Sequence, residues 1–282
     1  MVVSGASTGI GAATARALAR RGYHILAGVR RERDGDAIRA GGIEPVTLDI
    51  TRPEQLQAVA ERVATDPEQR PLRALINNAG ISVHGPVEAL PLDEWRRQFE
   101  VNLFGHIATT QALLPFLHQS RGRIVNISSV GGKMAMATYG AYAGAKFALE
   151  AASDALRREL APHGVQVVVV EPGAVRTEMA GRGAATAHTL AERMNPDQQR
   201  RYGALVRAVV DQEAAYTRTG LPTDQAGEII AEAATARRPR TRYTVGRDAA
   251  ILTRLTRLLP DRALDWIVAT NLRRYWPKPG AA

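Results

Sequence analysis

A chain of 282 residues with 45% hydrophobic and 23% charged side chains has enough apolar material for one large domain with a sizeable core. It contains no cysteine, which excludes disulfides, iron–sulfur clusters and thiolate zinc sites. A net charge of +9 would suit a polyanion, yet the basic residues come as scattered pairs (Arg20-Arg21, Arg157-Arg158, Arg237-Arg238) with acids between them, so no nucleic-acid partner is expected.

Residues 2–4 read as the end of a strand. Gly5-Ala6-Ser7-Thr8-Gly9-Ile10-Gly11 then forms a glycine loop opening a helix that runs to about Arg21. Glycines at 5, 9 and 11 let the backbone turn tightly and approach a pyrophosphate, which sits at the positive helix N-terminus. The strand is short for a buried one, which points to a natural strand that begins upstream. No charged-then-apolar leader precedes the loop, and no run of about 18 apolar residues occurs, so the expectation is a cytoplasmic protein without an integral membrane segment.

Tyr23 to Val29 is the second strand. Val29 stands where a dinucleotide fold places an acid for the adenosine ribose, and Arg30, Arg31 and Arg33 follow. A basic residue there suits a 2′-phosphate, so NADP(H) is expected over NAD(H), with Arg30 the first candidate and Arg31 the second; a merely solvated arginine cluster is the alternative. Val46 to Ile50 is a third strand, whose Asp49 either caps a loop or meets the adenine. Thr51-Arg52-Pro53-Glu54 opens the next helix with a capping-type pattern. Leu72 to Ile76 is a fourth strand closed by Asn77-Asn78-Ala79-Gly80. Asp93 to Leu117 reads as one long helix carrying Asn102. Gly122 to Ser129 is a fifth strand, the helix with Tyr142 and Lys146 runs to about Ala161, and Val165 to Val170 is a sixth strand before Glu171-Pro172-Gly173. Strands alternating with helices build a doubly wound parallel sheet with ligands at the strands' carboxyl ends. No repeat or low-complexity linker divides the run, so a single domain over about 1–250 is expected.

Tyr142 and Lys146 are four residues apart on a helix and share one face. An unperturbed phenol titrates near ~10, too high for easy proton exchange at neutral pH, and a neighbouring cation favours the phenolate. Lysines occur only at 133, 146 and 278; the other 34 basic residues are arginine. Keeping a compact ammonium four residues after Tyr142 is therefore suggestive. Ser129, at a strand tip, is placed to hydrogen-bond the same substrate oxygen.

Taken together, Gly5-x-x-x-Gly9-x-Gly11, Asn77-Asn78-Ala79-Gly80, Asn102, Ser129, Tyr142-x-x-x-Lys146 and Pro172-Gly173 resemble the short-chain dehydrogenases/reductases in order and approximate spacing, over about residues 1–180. Within that family the pattern is most similar to hydroxysteroid- and retinol-type members. The resemblance implies a Rossmann-type fold and hydride transfer between a nicotinamide cofactor and an alcohol or carbonyl. It implies that Tyr142 is the general acid/base and that Lys146 lowers its pKa and holds the nicotinamide ribose. Ser129 would stabilise the substrate oxygen, and Asn102 would bind a water linking Lys146 to solvent. The cofactor would lie on Gly5, Ser7, Thr8, Gly9, Ile10, Gly11, Arg30, Arg31, Asp49, Ile50, Asn78, Ala79, Gly80, Pro172, Gly173, Val175 and Thr177, besides Tyr142 and Lys146. Ser4 stands in place of the family's usual threonine and keeps its hydroxyl. Arg242-Tyr243-Thr244-Val245-Gly246 looks like the family's last strand.

Residues from about Glu178 to Thr219 form a long insertion, in this family usually the substrate lid, with Gly181 and Gly183 at a mobile edge. Its Met179, Leu190, Met194, Tyr202, Leu205, Val206 and Val209, with Val83 and the Ala135–Thr138 stretch, suggest a pocket for an apolar substrate. The tail over 251–282 carries Leu264, Ile267, Val268 and Leu272 at helical spacing beside several arginines. That helical extension is expected to dock on its own domain or a partner subunit, and a peripheral membrane contact is the alternative. A homo-oligomer, dimer or tetramer, is expected. The six histidines show no metal-ligand spacing, so no metal is expected. The competing function class is a nucleotide-binding regulator that senses NADP without turnover, for which an intact Asn102–Ser129–Tyr142–Lys146 set would be superfluous.

Overall fold

The computed structural model describes residues 1–277. Parallel strands β1 (Val2–Val3), β2 (Ile25–Val29), β3 (Ile43–Thr47), β4 (Ala74–Asn77), β5 (Arg123–Ile127), β6 (Gln166–Pro172) and β7 (Arg242–Val245) form one sheet in the order β3-β2-β1-β4-β5-β6-β7. The order reverses between β1 and β4, the switch point at which such sheets open a crevice beyond their carboxyl ends. It is a Rossmann-type fold.

The strands alternate strictly between two cores, as a period of two requires. Ile76, Val125, Ile127, Val168 and Val170 face one layer with Leu18 and Ile230. Leu75, Ile124 and Val167 face the other with Leu56, Leu113 and Leu117. Burying a side chain of that size contributes roughly 1.5–3 kcal/mol, so the sheet is held from both faces. The first layer belongs to α1 (Gly9–Arg20) and α9 (Thr223–Thr235); the second to α3 (Pro53–Ala64), α5 (Gly105–Ser120) and α6 (Gly140–Leu160).

Strand β3 begins three residues before its expected start and ends at Thr47 instead of Ile50. The cause is Pro45, which has no N–H to donate and would end an interior strand, but β3 is the sheet edge and tolerates it. Leu48 still donates its N–H to the Val29 carbonyl (2.8 Å), and Asp49 and Ile50 run on from it into the crevice. The helix expected over Asp93 to Leu117 is α4 (Leu92–Phe99) and α5 joined by a π-helical turn at Glu100–Phe104, which places Asn102 inward. A short helix, α2 (Glu32–Asp36), follows β2.

The long insertion is α7 (Glu178–Glu192) and α8 (Pro196–Thr219), the latter opened by a reciprocal Asn195–Gln198 capping box. The tail is split at Pro260 into α10 (Arg247–Leu258) and α11 (Asp261–Leu272). Leu272 packs on Ala208 and Val209 of α8, so the end of the tail docks on its own domain. The last residues of the expected extension, 278–282, lie outside the described residues. Among the described residues no helix is long and apolar enough to cross a membrane.

Candidate active site

The cleft at the switch point has a volume of about 480 Å³. Its floor is the glycine loop, tied to β4 through Ser4: the Ser4 hydroxyl accepts from the backbone N–H of Asn78 (3.0 Å) and Ala79 (3.1 Å). Asn78 returns the contact by donating its amide to the carbonyls of Ser4 (3.0 Å) and Gly5 (3.1 Å). Gly5 has φ +64°, and a Cβ there would lie 2.7 Å from Cα of Ala79. A Cβ on Gly11 would strike the Gly5 carbonyl oxygen and the Asn78 amide. Chain meets chain here with room for hydrogen only.

At the start of α1, Thr8 makes no side-chain cap and the first turn carries no acid. The helix's leading N–H groups and the positive end of its dipole are therefore left to the cleft, a fit for a diphosphate. Gly5, Ser7, Thr8, Gly9, Ile10, Gly11, Asn78, Ala79, Gly80, Pro172, Gly173, Val175 and Thr177 all line this cleft, as do Asp49 and Ile50. Asp49 also caps its loop, accepting from the Thr51 hydroxyl (2.7 Å) and backbone N–H (3.0 Å). Arg30 reaches the cleft wall. Arg31 does not line it: its exposed guanidinium pairs with Asp34 (2.8 and 3.1 Å), an i,i+3 contact at the start of α2.

Ser129, Tyr142 and Lys146 line the same cleft. Ser129 leaves the tip of β5 in extended conformation, and its hydroxyl accepts from the Gly131 N–H (3.0 Å). Tyr142 and Lys146 stand on the first turns of α6, as their spacing requires. Lys146 is buried, donates from Nζ to the Ile127 carbonyl (2.8 Å), and lies 6.0 Å from the Tyr142 ring centre. Burial lowers the Lys146 ammonium to about 8, against an opposing pull from Glu150. Burial raises the Tyr142 phenol above its usual value; the Ser129 hydroxyl pulls it down, and Glu213 adds to the rise. In the protein alone burial is thus the largest influence on the phenol, and the Lys146 ammonium is held by the Ile127 carbonyl.

Asn102 is fully buried and lies away from the cleft surface. Its amide is engaged in both directions with one residue: Oδ1 accepts from the Ile81 N–H (2.9 Å) and Nδ2 donates to the Ile81 carbonyl (2.8 Å). The side chain pins the segment after Gly80, and Ile81 is thereby held at the cleft.

The apolar pocket expected from the insertion is not assembled as read. Met179 lines the cleft. Leu190 instead packs with Val83, Leu90 and Ala141, Val206 with Ala187 and Val210, and Val209 with Leu272. Two helices packed on one another need apolar faces for the pair before any remain for a ligand. Cleft residues that the sequence did not single out include Thr51, Ile81, Arg97, Ser128 and Arg182. Ile81 and Ser128 adjoin motifs and were within reach; Arg97 and Arg182, paired with Glu94 and Glu178 on exposed helix faces, carry no pattern that marks them.

A Rossmann-type sheet with a phenol and an ammonium at its switch point is the build of a dinucleotide-dependent oxidoreductase. The family model for short chain dehydrogenases matches residues 1–187. Retinol dehydrogenase 5 of Mus musculus is 37% identical over 284 residues, spanning 96% of this chain and 88% of the relative. The NADPH-dependent 3-dehydrocapnine reductase of Ornithobacterium rhinotracheale is 31% identical over 281 residues and 97% of each chain. A crystal structure of a short chain dehydrogenase from Burkholderia cenocepacia in complex with NADP superposes with a TM-score of 0.73 at 27% identity, over 95% of both chains. The chain belongs to the short-chain dehydrogenase/reductase family, among its retinol- and hydroxysteroid-type members. It is an oxidoreductase acting on CH–OH groups.

Proposed function

We propose that the protein is an NADP(H)-preferring oxidoreductase that interconverts a hydrophobic primary or secondary alcohol and its aldehyde or ketone, with Tyr142 as general acid/base. The observation that carries this reading is the meeting of Ser129, Tyr142 and Lys146 in the same cleft as the glycine loop and Arg30. The nicotinamide, when bound, supplies or accepts the hydride. Tyr142 holds the proton that the substrate oxygen takes up in reduction and removes it in oxidation. Ser129 donates a hydrogen bond to that oxygen from just beyond the tip of β5, where Ser128 still pairs with Val170. Lys146 presents an ammonium to the cleft and, from 6.0 Å, favours whatever negative charge develops at the phenol. We assign Asn102 a positioning part through its two hydrogen bonds to Ile81, beside the water link to Lys146 that the family resemblance implies.

Arg30 is the reason for the NADP(H) assignment: it is the cleft-lining cation at the β2 tip, where Val29 removes the acid that would favour NAD. Arg30→Asp is expected to reverse the ratio of NADPH to NADH efficiency by about tenfold or more, the loss of one charge-assisted contact and the gain of a repulsion. Steady-state kinetics with both cofactors reads this directly, and an unchanged ratio would remove Arg30 from the site.

The relatives' names guide the substrate test. A panel of all-trans-retinal, steroid ketones, long-chain aldehydes and aromatic ketones, followed by NADPH absorbance, identifies the class that turns over. Helices α7 and α8 are proposed as the lid over the substrate side, with Met179 as its contribution to the wall. The tail leaves Ile251, Leu258 and Trp266 exposed beside Arg254, Arg257 and Arg262, while Leu272 anchors it to α8. We read it as a docked extension. Pelleting with anionic vesicles is then expected to be weak and to vanish at high salt, where the Debye length falls to about 3 Å; pelleting that survives such salt contradicts that reading.

A further inference from the structure

Beyond β6 the cleft wall is extended chain that shows alternate residues to the crevice. Gly173, Val175 and Thr177 line it, while Ala174 and Arg176 between them do not. The backbone of this segment is held by the C-terminal part of the chain. Gly173 donates its N–H to the Val245 carbonyl at the end of β7 (2.9 Å). Leu221, between α8 and α9, donates to the Ala174 carbonyl (2.9 Å) and accepts from the Arg176 N–H (3.0 Å). The N–H of Ala174 goes instead to a side chain: Oδ2 of Asp248 accepts it at 2.7 Å.

Asp248 lies on the first turn of α10, and its carboxylate fits a space left by glycine. A Cβ on Gly173 would overlap that carboxylate, and so would one on Gly246, which has φ +103°. Two glycines, one after β6 and one after β7, thus leave the room through which the carboxylate reaches the backbone. An acid in the first turn of a helix is ordinarily accounted for by the helix dipole. That account asks for no partner across the fold and no glycine against the carboxylate.

The sheet order puts this wall at the reacting end of the cleft. Arg30 marks one end at the tip of β2, and Ser129 beyond β5 marks the other. Strand β6 is the neighbour of β5 on the side away from β2, so the segment that follows it lies where the hydride moves. We propose that Asp248 is a positioning residue for the cofactor. By fixing the Ala174 N–H it holds Gly173, Val175 and Thr177 as the wall against which the nicotinamide half is bound. The inference rests on the reading of the cleft as an NADP(H) site. Its consequence is that the tail is more than an appendage, because its first helix completes the reacting end of the cleft.

The test needs no substrate. NADPH and 2′-phospho-ADP-ribose, the same molecule without its nicotinamide ring, are titrated calorimetrically into the full-length parent, Asp248→Ala and Asp248→Asn. The parent is expected to bind NADPH more tightly than the fragment. In Asp248→Ala the NADPH affinity is expected to fall about tenfold while that for the fragment stays within about twofold, the scale of one lost charge-assisted hydrogen bond. Asp248→Asn keeps an oxygen for the Ala174 N–H and is expected to retain most of the parent's preference. A thermal melt accompanies each variant. If Asp248 serves only the start of α10, Asp248→Ala lowers the melting temperature and leaves both affinities in place or weakens them in parallel; either result overturns the proposal. So does a parent that binds the two ligands equally, or an Asp248→Asn protein as impaired as Asp248→Ala. Should Asp248→Ala be unfolded at the assay temperature, Asp248→Ser, which suits a helix start but is too short to reach Ala174, carries the same expectation. The underlying reading fails separately, if the parent binds neither ligand.

Discussion

Tyr142→Phe is expected to lower turnover by about 10²–10⁴-fold while leaving NADPH affinity within about twofold of the parent, the range over which a single proton-transfer group contributes. The asymmetry follows from where the hydroxyl sits. The ring of Tyr142 packs edge-on with Tyr139, and Gly131 comes close to it, contacts that phenylalanine keeps. The glycine loop, the start of α1 and Arg30 do not touch the hydroxyl, so the cofactor side of the cleft is undisturbed. Only the hydroxyl is lost. Kinetics of carbonyl reduction beside a fluorescence titration with NADPH separate the two quantities; parallel losses in both would place Tyr142 in cofactor binding instead.

Gly11→Ala is expected to be the most damaging change in the cofactor half. The added methyl would overlap the Gly5 carbonyl oxygen and the Asn78 amide. Neither can step aside freely, because Asn78 is tied to Ser4 and Gly5 by hydrogen bonds of 3.0 and 3.1 Å, and Gly5 is already against Ala79. Relief requires the loop to shift away from β4, which both strains the fold and misplaces the N–H groups at the start of α1. The expected cost is about 1–3 kcal/mol of stability, as for overpacking elsewhere, together with a fall in NADPH affinity of about tenfold or more. Gly181→Ala is the matching control. Nothing lies within 4 Å of its Cβ position in α7, so a small gain in stability is expected from the better helix former. Calorimetry and cofactor titration on the pair check both statements; a Gly11→Ala protein that melts and binds like the parent would mean that the loop is looser than its contacts suggest.

The parts of the molecule legible in the sequence were those where chemistry allows few substitutes. The glycines at 5 and 11 answer to close approaches of backbone, and Asn78 to a set of backbone partners that only an amide satisfies. The spacing of Tyr142 and Lys146 places both on the cleft side of α6 because helical geometry leaves no alternative. What misled was context. Pro45 lies at a sheet edge that demands no N–H of it, so β3 reaches back to Ile43, past the Val46 start its pattern suggested. Arg31 reads as a twin of Arg30; the structure pairs it with Asp34 three residues on, and of the two it is Arg30 that lines the cleft. The apolar residues of the insertion read as pocket lining, and Leu190, Val206 and Val209 are instead used by the packing of α7, α8 and the tail. The resemblance implies a water link at Asn102; the structure adds that its amide braces Ile81, which the motif alone does not show. Asp248 carries no local signal, since its contact joins the first turn of α10 to the segment after β6.

The most direct measurement of the central claim is NADPH oxidation by the parent protein and by Tyr142→Phe across the carbonyl panel, with NADPH binding measured on the same preparations. The predicted result is turnover of at least one apolar aldehyde or ketone by the parent, faster with NADPH than with NADH, and its loss in the variant with binding retained. Tight NADPH binding by the parent with no turnover of any carbonyl, or equal turnover in the two proteins, would contradict the account.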